Sequence, residues 1–197
     1  MERAELAELH FITPIGNVRS ILERGIVCNA RSQRLEAQSV AMAEFQAMRE
    51  KRCVPAGGRL RDYANLYLCA RNPMLHGLRH MHAELCVLRV MDTIVDEPGV
   101  LVTDRSAASR HVRFAPAPAG LSIVDRDLTF ADRWTHPGDG VREAHHKSAK
   151  CAEVLVPNHV PPAYVFGAHV SNADTAAELA WLDDDLEILL NRDMFFT

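Results

Sequence analysis

The chain has 197 residues, of which 48% are hydrophobic and 24% charged, a composition typical of a globular protein with a core of its own. It has no apolar window of the roughly 18 residues that a membrane helix needs, and the acidic start Met1–Glu5 lacks the basic and apolar regions of a signal peptide, so we expect a cytoplasmic protein. The formal net charge of -4 argues against a general nucleic-acid coat protein, because phosphate contacts require Lys and Arg.

The first half of the chain begins with a predicted strand at residues 9–13, which Pro14 ends. Asn17 is in the position of an N-cap for a short helix. Residues 35–49 lack Gly and Pro and are rich in Ala, Glu, Gln and Met, which predicts a surface helix. After a Gly-rich loop, the pattern predicts a strand, a helical piece and a second strand at 63–69, 74–82 and 85–90.

The second half has a strand pattern at 100–103, followed by the Pro-, Gly- and Asp-rich residues 115–140, which we expect to cross the surface as loops. Two further strands are predicted at 153–156 and 164–170, and a last helix at 173–190. Helices placed this unevenly among five or six short strands favour an α+β fold with a mostly antiparallel or split sheet. We expect residues 1–197 to form one domain.

Cysteine and histidine spacing does not indicate a metal site. The five cysteines are an odd number without a Cys-x-x-Cys pair, so they predict neither a disulfide framework nor a zinc ribbon. His76 and His80 have the i, i+4 spacing of zinc or nickel ligands on a helix. No third and fourth ligand converge with them in the sequence, and we expect no metal.

Glu153 is the one carboxylate inside an apolar strand pattern, between Ala152 and the run Val154–Val156. One interpretation is a glutamate on an edge strand that points at solvent. The other is a carboxylate held on a rigid strand facing a cleft, where it acts as a general base or binds a sugar hydroxyl. The strand pattern alone leaves both open.

Basic residues are unevenly distributed. One group surrounds the Gly-rich loop and includes Arg49, Arg52, Arg59 and Arg61, and a second group extends from Arg142 to Lys150. Either group can line a basic cleft or be ordinary solvated surface.

Several stretches, taken in order, resemble the DarT family. They comprise the first strand and the start of its helix, the end of the predicted helix with Arg49, the strand leading to Arg71, the turn after the strand at 100–103, and the glutamate strand. In this sequence they read as Phe11-Ile12-Thr13-Pro14-Ile15-x-Asn17, Gln46-x-x-Arg49, Asp62-Tyr63-Ala64-Asn65-Leu66-Tyr67, Arg71-Asn72-Pro73-Met74-Leu75, Gly99-Val100-x-Val102-Thr103-Asp104 and Ala152-Glu153-Val154-Leu155-Val156-Pro157. The resemblance spans roughly residues 9–170.

This resemblance implies an NAD-dependent ADP-ribosyltransferase of a toxin–antitoxin system, which transfers ADP-ribose from NAD to a base of single-stranded DNA and releases nicotinamide. It also implies the split-sheet transferase fold seen in poly-ADP-ribose polymerases, and an antitoxin partner with ADP-ribosyl-hydrolase (macrodomain) activity. Transferases of the same fold acting on RNA, protein or a small molecule are alternatives. A catalytically silent binding module is another, if Glu153 points away from the cleft.

The resemblance further implies roles for particular residues. Glu153 matches the catalytic glutamate and Arg49 the site arginine, with Arg52 as a second candidate for that role. Many family members read His-Ile-Thr where this chain reads Phe11-Ile12-Thr13, and its histidine, His10, stands one position earlier. The residues expected to bind NAD are His10, Thr13, Asn17, Tyr67, Arg71 and Met74. Those expected to bind the nucleic acid are Arg52, Arg59, Arg61, Lys147 and Lys150.

Overall fold

The structure is a computed structural model that describes residues 1–32, 43–55 and 57–197, and of residues 43–46 the backbone alone. Its strands are β1 (Glu8–Pro14), β2 (Ile26–Val27), β3 (Tyr63–Tyr67), β4 (Leu85–Met91), β5 (Leu101–Thr103), β6 (Phe114–Pro116), β7 (Glu153–Pro157), β8 (His159–Val160), β9 (Val165–Val170) and β10 (Glu187–Leu190). Its helices are α1 (Val18–Arg24), α2 (Asn29–Ser32), α3 (Ala43–Lys51), α4 (Pro73–Gly77), α5 (Arg126–Phe130), α6 (Gly140–Lys150) and α7 (Ala173–Ala180).

One large sheet organises the described residues. Its strand order is β10-β9-β4-β1-β3-β7-β5-β6, and β2 and β8 form a separate antiparallel pair. The neighbours in the large sheet are antiparallel except β9 and β10, which are parallel. The prediction of an α+β fold with a mostly antiparallel sheet is therefore confirmed.

The sheet is split between β1 and β3. β1 pairs with β4 along its whole length, from Glu8 to Pro14, and β3 pairs with β7 along its whole length. In the described part of the chain, β1 and β3 themselves share only the pair His10–Tyr67. Backbone groups that do not pair with each other need other partners, so the junction between the two half-sheets is where a ligand can approach the strands.

The two faces of the sheet differ in polarity. Side chains of alternate residues, such as Leu9, Leu88 and Val154, lie in the main core, which α1 and α7 cover with Val18 and Leu179. The other face combines a smaller apolar cluster around Ile12, Val87 and Phe195 with a set of buried polar side chains. Buried polar groups require partners, and this second face carries the candidate site.

The C-terminal helix prediction is wrong beyond Ala180. α7 begins after Asn172, whose side chain accepts from Thr175 N as predicted for a cap, but it ends at Ala180. Residues 187–190 form β10, which pairs with β9. The apolar run Ile188–Leu190 is too short to distinguish a strand from a helix by periodicity.

The loop prediction for 115–140 is also wrong in part. The segment contains the end of β6, a 3-10 helix at Ala119–Ile123 and α5. α6 follows it, capped by the side chain of Asp139, and the sequence pattern did not predict this helix. The helix predicted at 35–49 lies partly outside the described residues, and α3 covers the rest and continues to Lys51. The described helices include none with the length and apolar character needed to cross a bilayer.

Candidate active site

Glu153 is the first residue of β7, between β3 and β5, and only 1% of its surface is exposed. Val154 and Val156 enter the main core, so alternation along the strand places Glu153 on the other face. β7 is therefore not an edge strand, and the interpretation of Glu153 as a solvent-exposed edge residue is wrong.

Two donors hold the Glu153 carboxylate. Nη1 of Arg49, on α3, lies 2.9 Å from Oε2 and 3.3 Å from Oε1, and the backbone N–H of Ala107 donates to Oε1 at 2.9 Å. Arg49 is itself largely buried, and among the described residues its Nη2 has no hydrogen-bond partner. Removing one member of a buried ion pair costs about 3–5 kcal/mol, so this pair fixes both side chains.

The loop after β5 aims the Ala107 N–H at the carboxylate. Thr103 Oγ1 accepts from the backbone N of Glu153 at 3.0 Å and donates to the carbonyl of Arg105 at 2.7 Å. Asp104 accepts from the Arg105 guanidinium at 3.0 Å and from Arg113 N at 2.8 Å. Burial raises the pKa of Asp104, but these hydrogen bonds outweigh it and lower the pKa overall. A charged Asp104 therefore braces the loop that supplies a donor to Glu153.

His10, Tyr67 and Glu153 form a row across the junction of the half-sheets. Tyr67 is the cross-strand partner of Glu153 on one side and of His10 on the other. The Tyr67 hydroxyl donates to Met74 Sδ at 2.8 Å. Burial, and secondarily the charge of Glu153, raises the pKa of Tyr67 well above its ordinary value, so the phenol is neutral. Phe11, in contrast, packs against the main core.

The other residues predicted to bind NAD divide into two groups. Thr13 and Asn17 lie together at the end of β1, where the Asn17 amide donates to Thr13 Oγ1 at 3.1 Å. Arg71 is bonded elsewhere: it donates to the carbonyls of Asp193 and Asp132 at 3.0 and 2.8 Å and lies 4.5 Å from the ring centre of Phe196. These contacts anchor the C-terminal segment, and NAD binding by Arg71 stays a prediction.

The predicted DNA-binding arginines follow α3 in a short hairpin. Leu60 N donates to the carbonyl of Arg52 at 2.9 Å, and Gly57 and Gly58 turn the chain with positive φ angles of 96° and 84°. Leu60 is buried in a cluster with Leu155 and Ala107. The hairpin is thereby fixed beside the strand that carries Glu153, with Arg59 exposed and Arg52 and Arg61 half-buried.

The prediction that Lys150 binds nucleic acid is corrected by its burial. Lys150 is 1% exposed, and its Nζ donates to the carbonyls of Ala131 and Thr129 at 2.6 and 3.1 Å. Burial lowers its pKa. The error follows from the missed helix, because α6 turns Lys150 inward together with Ala149. Lys147 lies on the exposed side of α6 and pairs with Glu143 at 2.7 Å.

His76 and His80 do not form a metal site together. The His76 ring packs edge-on against Phe196 and Trp134, with centroid distances of 4.9 and 5.7 Å, and His80 is exposed. A different group of polar residues, which sequence reasoning missed apart from His10, converges on β1: Glu8, His10 and His169 have donor or acceptor atoms within 4.8 Å of one another. The signal for it was a second polar residue, Glu8, two positions before His10 on the same face of an apolar strand.

A cavity of about 480 Å³ lies at the opposite end of β7. Val156, Pro157 and Tyr164 are among its lining residues. The residues predicted for the site do not line it in the described part of the chain. The candidate active site is therefore the row around Glu153 at the sheet junction.

A split, mostly antiparallel sheet with a buried, arginine-paired glutamate at the junction of its halves is the arrangement of an ADP-ribosyltransferase-type fold. Residues 10–196 match the family described as "ssDNA thymidine ADP-ribosyltransferase, DarT". The chain belongs to the DarT family, as its motifs predicted.

Named relatives agree with this assignment. The chain is 31% identical over 180 residues to a DNA ADP-ribosyl transferase–DNA ADP-ribosyl glycohydrolase fusion protein of Thermosipho africanus, an alignment that covers 87% of this chain and 44% of that protein. A DNA ADP-ribosyl transferase of Thermus aquaticus is 30% identical, with 78% of this chain and 70% of that protein covered. The chain thus spans less than half the length of the fusion relative.

A solved structure shows the same fold. Thermus sp. 2.9 DarT in complex with ADP-ribosylated ssDNA superposes with a TM-score of 0.84, at 23% identity and with 97% of both chains covered. The same protein has been solved in complex with NAD+, with a TM-score of 0.79 at 21% identity. The predicted ADP-ribosyltransferase-like split sheet is confirmed by this likeness.

Proposed function

We propose that the protein is an NAD-dependent ADP-ribosyltransferase that transfers ADP-ribose from NAD to the thymine base of single-stranded DNA. The observation that carries the proposal is the Glu153 carboxylate, which is 1% exposed and held by Arg49 and the Ala107 N–H at the junction of the half-sheets. Membership of a family described as ssDNA thymidine ADP-ribosyltransferases supports the substrate. The NAD-bound and DNA-bound complexes of the Thermus protein support both reactants.

The chemistry requires a fixed negative charge. As the bond between ribose C1′ and the nicotinamide nitrogen breaks, positive charge develops on the ribose, and a carboxylate beside it stabilises the transition state more than the ground state. The bond that forms joins C1′ to a base nitrogen, whose proton passes to Glu153 and then to solvent. The products are the ADP-ribosylated base, nicotinamide and a proton.

Arg49 and Tyr67 complete the centre of the site. Arg49 pairs with the Glu153 carboxylate, and its second terminal nitrogen, Nη2, supplies a donor for a pyrophosphate or DNA phosphate oxygen. Tyr67 supplies a neutral aromatic face beside the carboxylate, on which the nicotinamide ring can stack. We assign Thr13, Asn17 and Met74 to the surrounding NAD contacts on the basis of the family resemblance and their places at β1 and Tyr67.

The hairpin with Arg52, Arg59 and Arg61 is the proposed wall for single-stranded DNA. It follows α3, which carries Arg49, and packs against Leu155, two residues from Glu153. Arginines along such a wall can follow the phosphate backbone of an unpaired strand. An unpaired base is also the substrate that needs no extrusion from a duplex.

We further propose a cytoplasmic toxin whose product is removed by a partner with ADP-ribosyl-hydrolase activity. The Thermosipho relative joins a transferase and a DNA ADP-ribosyl glycohydrolase in one protein, which supports a functional pairing of the two activities. NAD and DNA are cytoplasmic in bacteria, and the five cysteines are all free, as in a reducing compartment. We propose residues 1–197 as one transferase domain.

Labelled NAD tests the proposal. The protein is incubated with adenylate-labelled NAD and separate pools of single-stranded DNA, RNA and protein, and the labelled product is analysed. We expect label in DNA alone, and within DNA only in oligonucleotides that contain thymine. Label in RNA or protein instead would redirect the acceptor assignment to the other transferases of this fold.

Glu153→Gln is the matched variant, because it keeps the shape of the side chain and removes its charge. We expect it to lower kcat by at least about a hundredfold. Its melting temperature should fall less than that of Glu153→Ala, because the amide oxygen can still accept from Arg49 or from the Ala107 N–H. Transfer within about tenfold of wild type in a folded Glu153→Gln protein would remove Glu153 from the mechanism.

A further inference from the structure

A second carboxylate network lies beside the row, on β1 and its neighbours. Oε1 of Glu8 lies 3.0 Å from Nε2 of His10 and 3.3 Å from Nε2 of His169. Its other oxygen, Oε2, accepts from Arg89 at 2.7 Å. The four side chains are between 9% and 17% exposed, so the network is nearly closed to solvent.

The network determines which ring nitrogen of His10 carries a proton. Burial raises the pKa of Glu8, but hydrogen bonds from His10, His169 and Arg89 outweigh it and hold the pKa far below its ordinary value. An ionised carboxylate only accepts hydrogen bonds, so both Nε2 atoms must be the protonated ones. When such an imidazole is in its neutral form, its Nδ1 atom is the acceptor.

That acceptor is buried and unused. Nδ1 of His10 and Nδ1 of His169 have no hydrogen-bond partner among the described residues. Buried polar atoms without partners are uncommon and call for an explanation. His10 is the cross-strand partner of Tyr67, which is in turn the partner of Glu153, so its unused acceptor belongs to a residue of the candidate active site.

We propose that Glu8, backed by Arg89, is a positioning residue that holds His10 as the Nε2–H tautomer, so that Nδ1 accepts a hydrogen bond from an O–H or N–H of bound NAD. The donor is a ribose hydroxyl or the nicotinamide carboxamide. This inference rests on the proposed NAD-dependent function and adds a residue that acts through His10 without touching the substrate.

Two histidines and a carboxylate also have the composition of a metal site, but their surroundings differ from one. Oε2 of Glu8 is occupied by the Arg89 guanidinium, a fixed positive charge next to any cation. Metal-binding histidines usually donate their second ring N–H to an acceptor, whereas both Nδ1 atoms here lack a partner among the described residues. Zinc binding is therefore an outcome for the experiment to exclude.

Glu8→Gln tests the proposal. Arg89 can only donate, so the amide should keep its oxygen toward Arg89 and turn its NH2 group toward the two histidines. Their Nε2 atoms must then accept, and the Nε2–H tautomer of His10 is no longer imposed. We expect KM for NAD to rise by about tenfold with kcat within about threefold of wild type. Glu153→Gln, in contrast, should lose kcat. Glu187→Gln is the matched control, because Glu187 also pairs with Arg89 but does not contact the histidines.

Heteronuclear NMR of the imidazole nitrogens gives a readout that does not depend on activity. In the wild-type protein without NAD, we expect a protonated Nε2 and an unprotonated Nδ1 for His10, and this pattern should be lost in Glu8→Gln and kept in Glu187→Gln. A protonated Nδ1 in the wild-type protein would overturn the proposal even if Glu8→Gln fails to fold. Stoichiometric zinc binding that Glu8→Gln abolishes would overturn it in favour of a metal site.

Substrate analogues identify the donor. Nicotinic acid adenine dinucleotide lacks the carboxamide N–H, and deoxyribose analogues of NAD lack one hydroxyl each. We expect one of these analogues to bind the wild-type protein about tenfold more weakly than NAD binds it. The Glu8→Gln protein should bind that analogue and NAD equally well. Equal discrimination by both proteins would contradict the proposal. Failure of DNA modification with NAD binding intact would count against the proposed acceptor and leave this inference standing.

Discussion

At the scale of single residues, the position of Glu153 depends on groups that do not react. Its carboxylate has two donors, and its backbone N–H has the hydroxyl of Thr103. That hydroxyl also donates to the carbonyl of Arg105 and thereby ties the strand to the loop that supplies the Ala107 N–H. Thr103 therefore couples the orientation of the glutamate to the loop.

Thr103→Val tests this coupling, because it keeps the branched shape and removes the hydroxyl. The buried N–H of Glu153 then lacks a partner, which costs about 1–3 kcal/mol of the free energy of unfolding. We also expect kcat to fall while KM for NAD changes little. Thr103→Ser keeps the hydroxyl and should retain most of the activity. Denaturant unfolding and steady-state kinetics measure both effects. An unchanged kcat in Thr103→Val would mean that the Thr103 hydroxyl is not needed to position the loop for catalysis.

The charge of Lys150 should stabilise the folded protein and should not contribute to DNA binding. Its ammonium group crosslinks α6 to the carbonyls of Thr129 and Ala131 from a buried position. Lys150→Met keeps the length of the side chain but leaves those carbonyls without the donor, so we expect a loss of about 1–3 kcal/mol in the free energy of unfolding. The salt dependence of DNA binding should be unchanged. If Lys150→Met reduced DNA affinity as strongly as substitutions in the hairpin do, this structural role of Lys150 would be contradicted.

At the scale of elements, the sequence was most informative where apolar alternation and terminating residues agreed. The strands at Glu153, at Leu85 and at the start of the chain were predicted within one or two residues of β7, β4 and β1. α6 was missed because its residues are mostly polar and charged, and of its three buried residues, His146, Ala149 and Lys150, only Ala149 is apolar. Its N-cap, Asp139, follows Pro137 and Gly138, and their turn signal concealed the start of the helix.

The hairpin after α3 carries the element-scale prediction. Arg59 is exposed, Arg61 is half-buried, and Leu60 between them is anchored beside Leu155. Reversing the charge of the two arginines should therefore weaken contact with DNA without disturbing the strands that hold NAD. We expect Arg59→Glu with Arg61→Glu to reduce DNA modification much more than NAD hydrolysis without acceptor. Wild-type binding of single-stranded DNA should weaken steeply between about 50 and 200 mM salt, and the double variant should show a shallower slope.

Arg142→Glu is the control for that experiment, because Arg142 is an exposed arginine on a different element, at the start of α6. It carries the same charge change and should leave the salt slope nearly unaltered. Equal loss of NAD hydrolysis and DNA modification in the hairpin variant would place these arginines in the NAD site instead of on a DNA wall.

In the whole molecule, the split sheet explains why the sequence predicted the reaction centre only through its resemblance to the DarT family, and not through the strand and helix patterns of its residues. His10, Tyr67 and Glu153 are far apart in the sequence and come together because β1, β3 and β7 are neighbours in the sheet. Strand order of this kind is decided by packing between distant segments, which periodicity does not reveal. The Glu8 network has the same origin, because His169 and Arg89 arrive from β9 and β4.

The stability of the fold should depend on pH through His146. His146 is buried on α6, where its Nδ1 faces His136 Nε2 at 2.9 Å and its Nε2 faces the carbonyl of Leu128 at 3.1 Å. Burial lowers the pKa of His146 below its ordinary value of 6.5, and His136, Lys150 and Arg142 add to the effect, although the hydrogen bond to Leu128 opposes it. The folded protein therefore keeps this ring neutral at pH values where the unfolded chain protonates it.

The sign of the effect follows from proton binding. Below about pH 6.5 the unfolded chain binds more protons at His146 than the folded protein does, so the free energy of unfolding falls as the pH falls toward the folded-state pKa. His146→Asn can keep a hydrogen bond to Leu128 without titrating, so we expect a flatter profile of stability between about pH 6.5 and 5.

His76, whose pKa burial also lowers, should account for part of the remaining slope. His145→Asn, an exposed neighbour on α6, should reproduce the wild-type profile. Denaturant unfolding across this pH range measures these slopes. An unaltered slope in His146→Asn would show that protonation of His146 does not contribute to the loss of stability in acid.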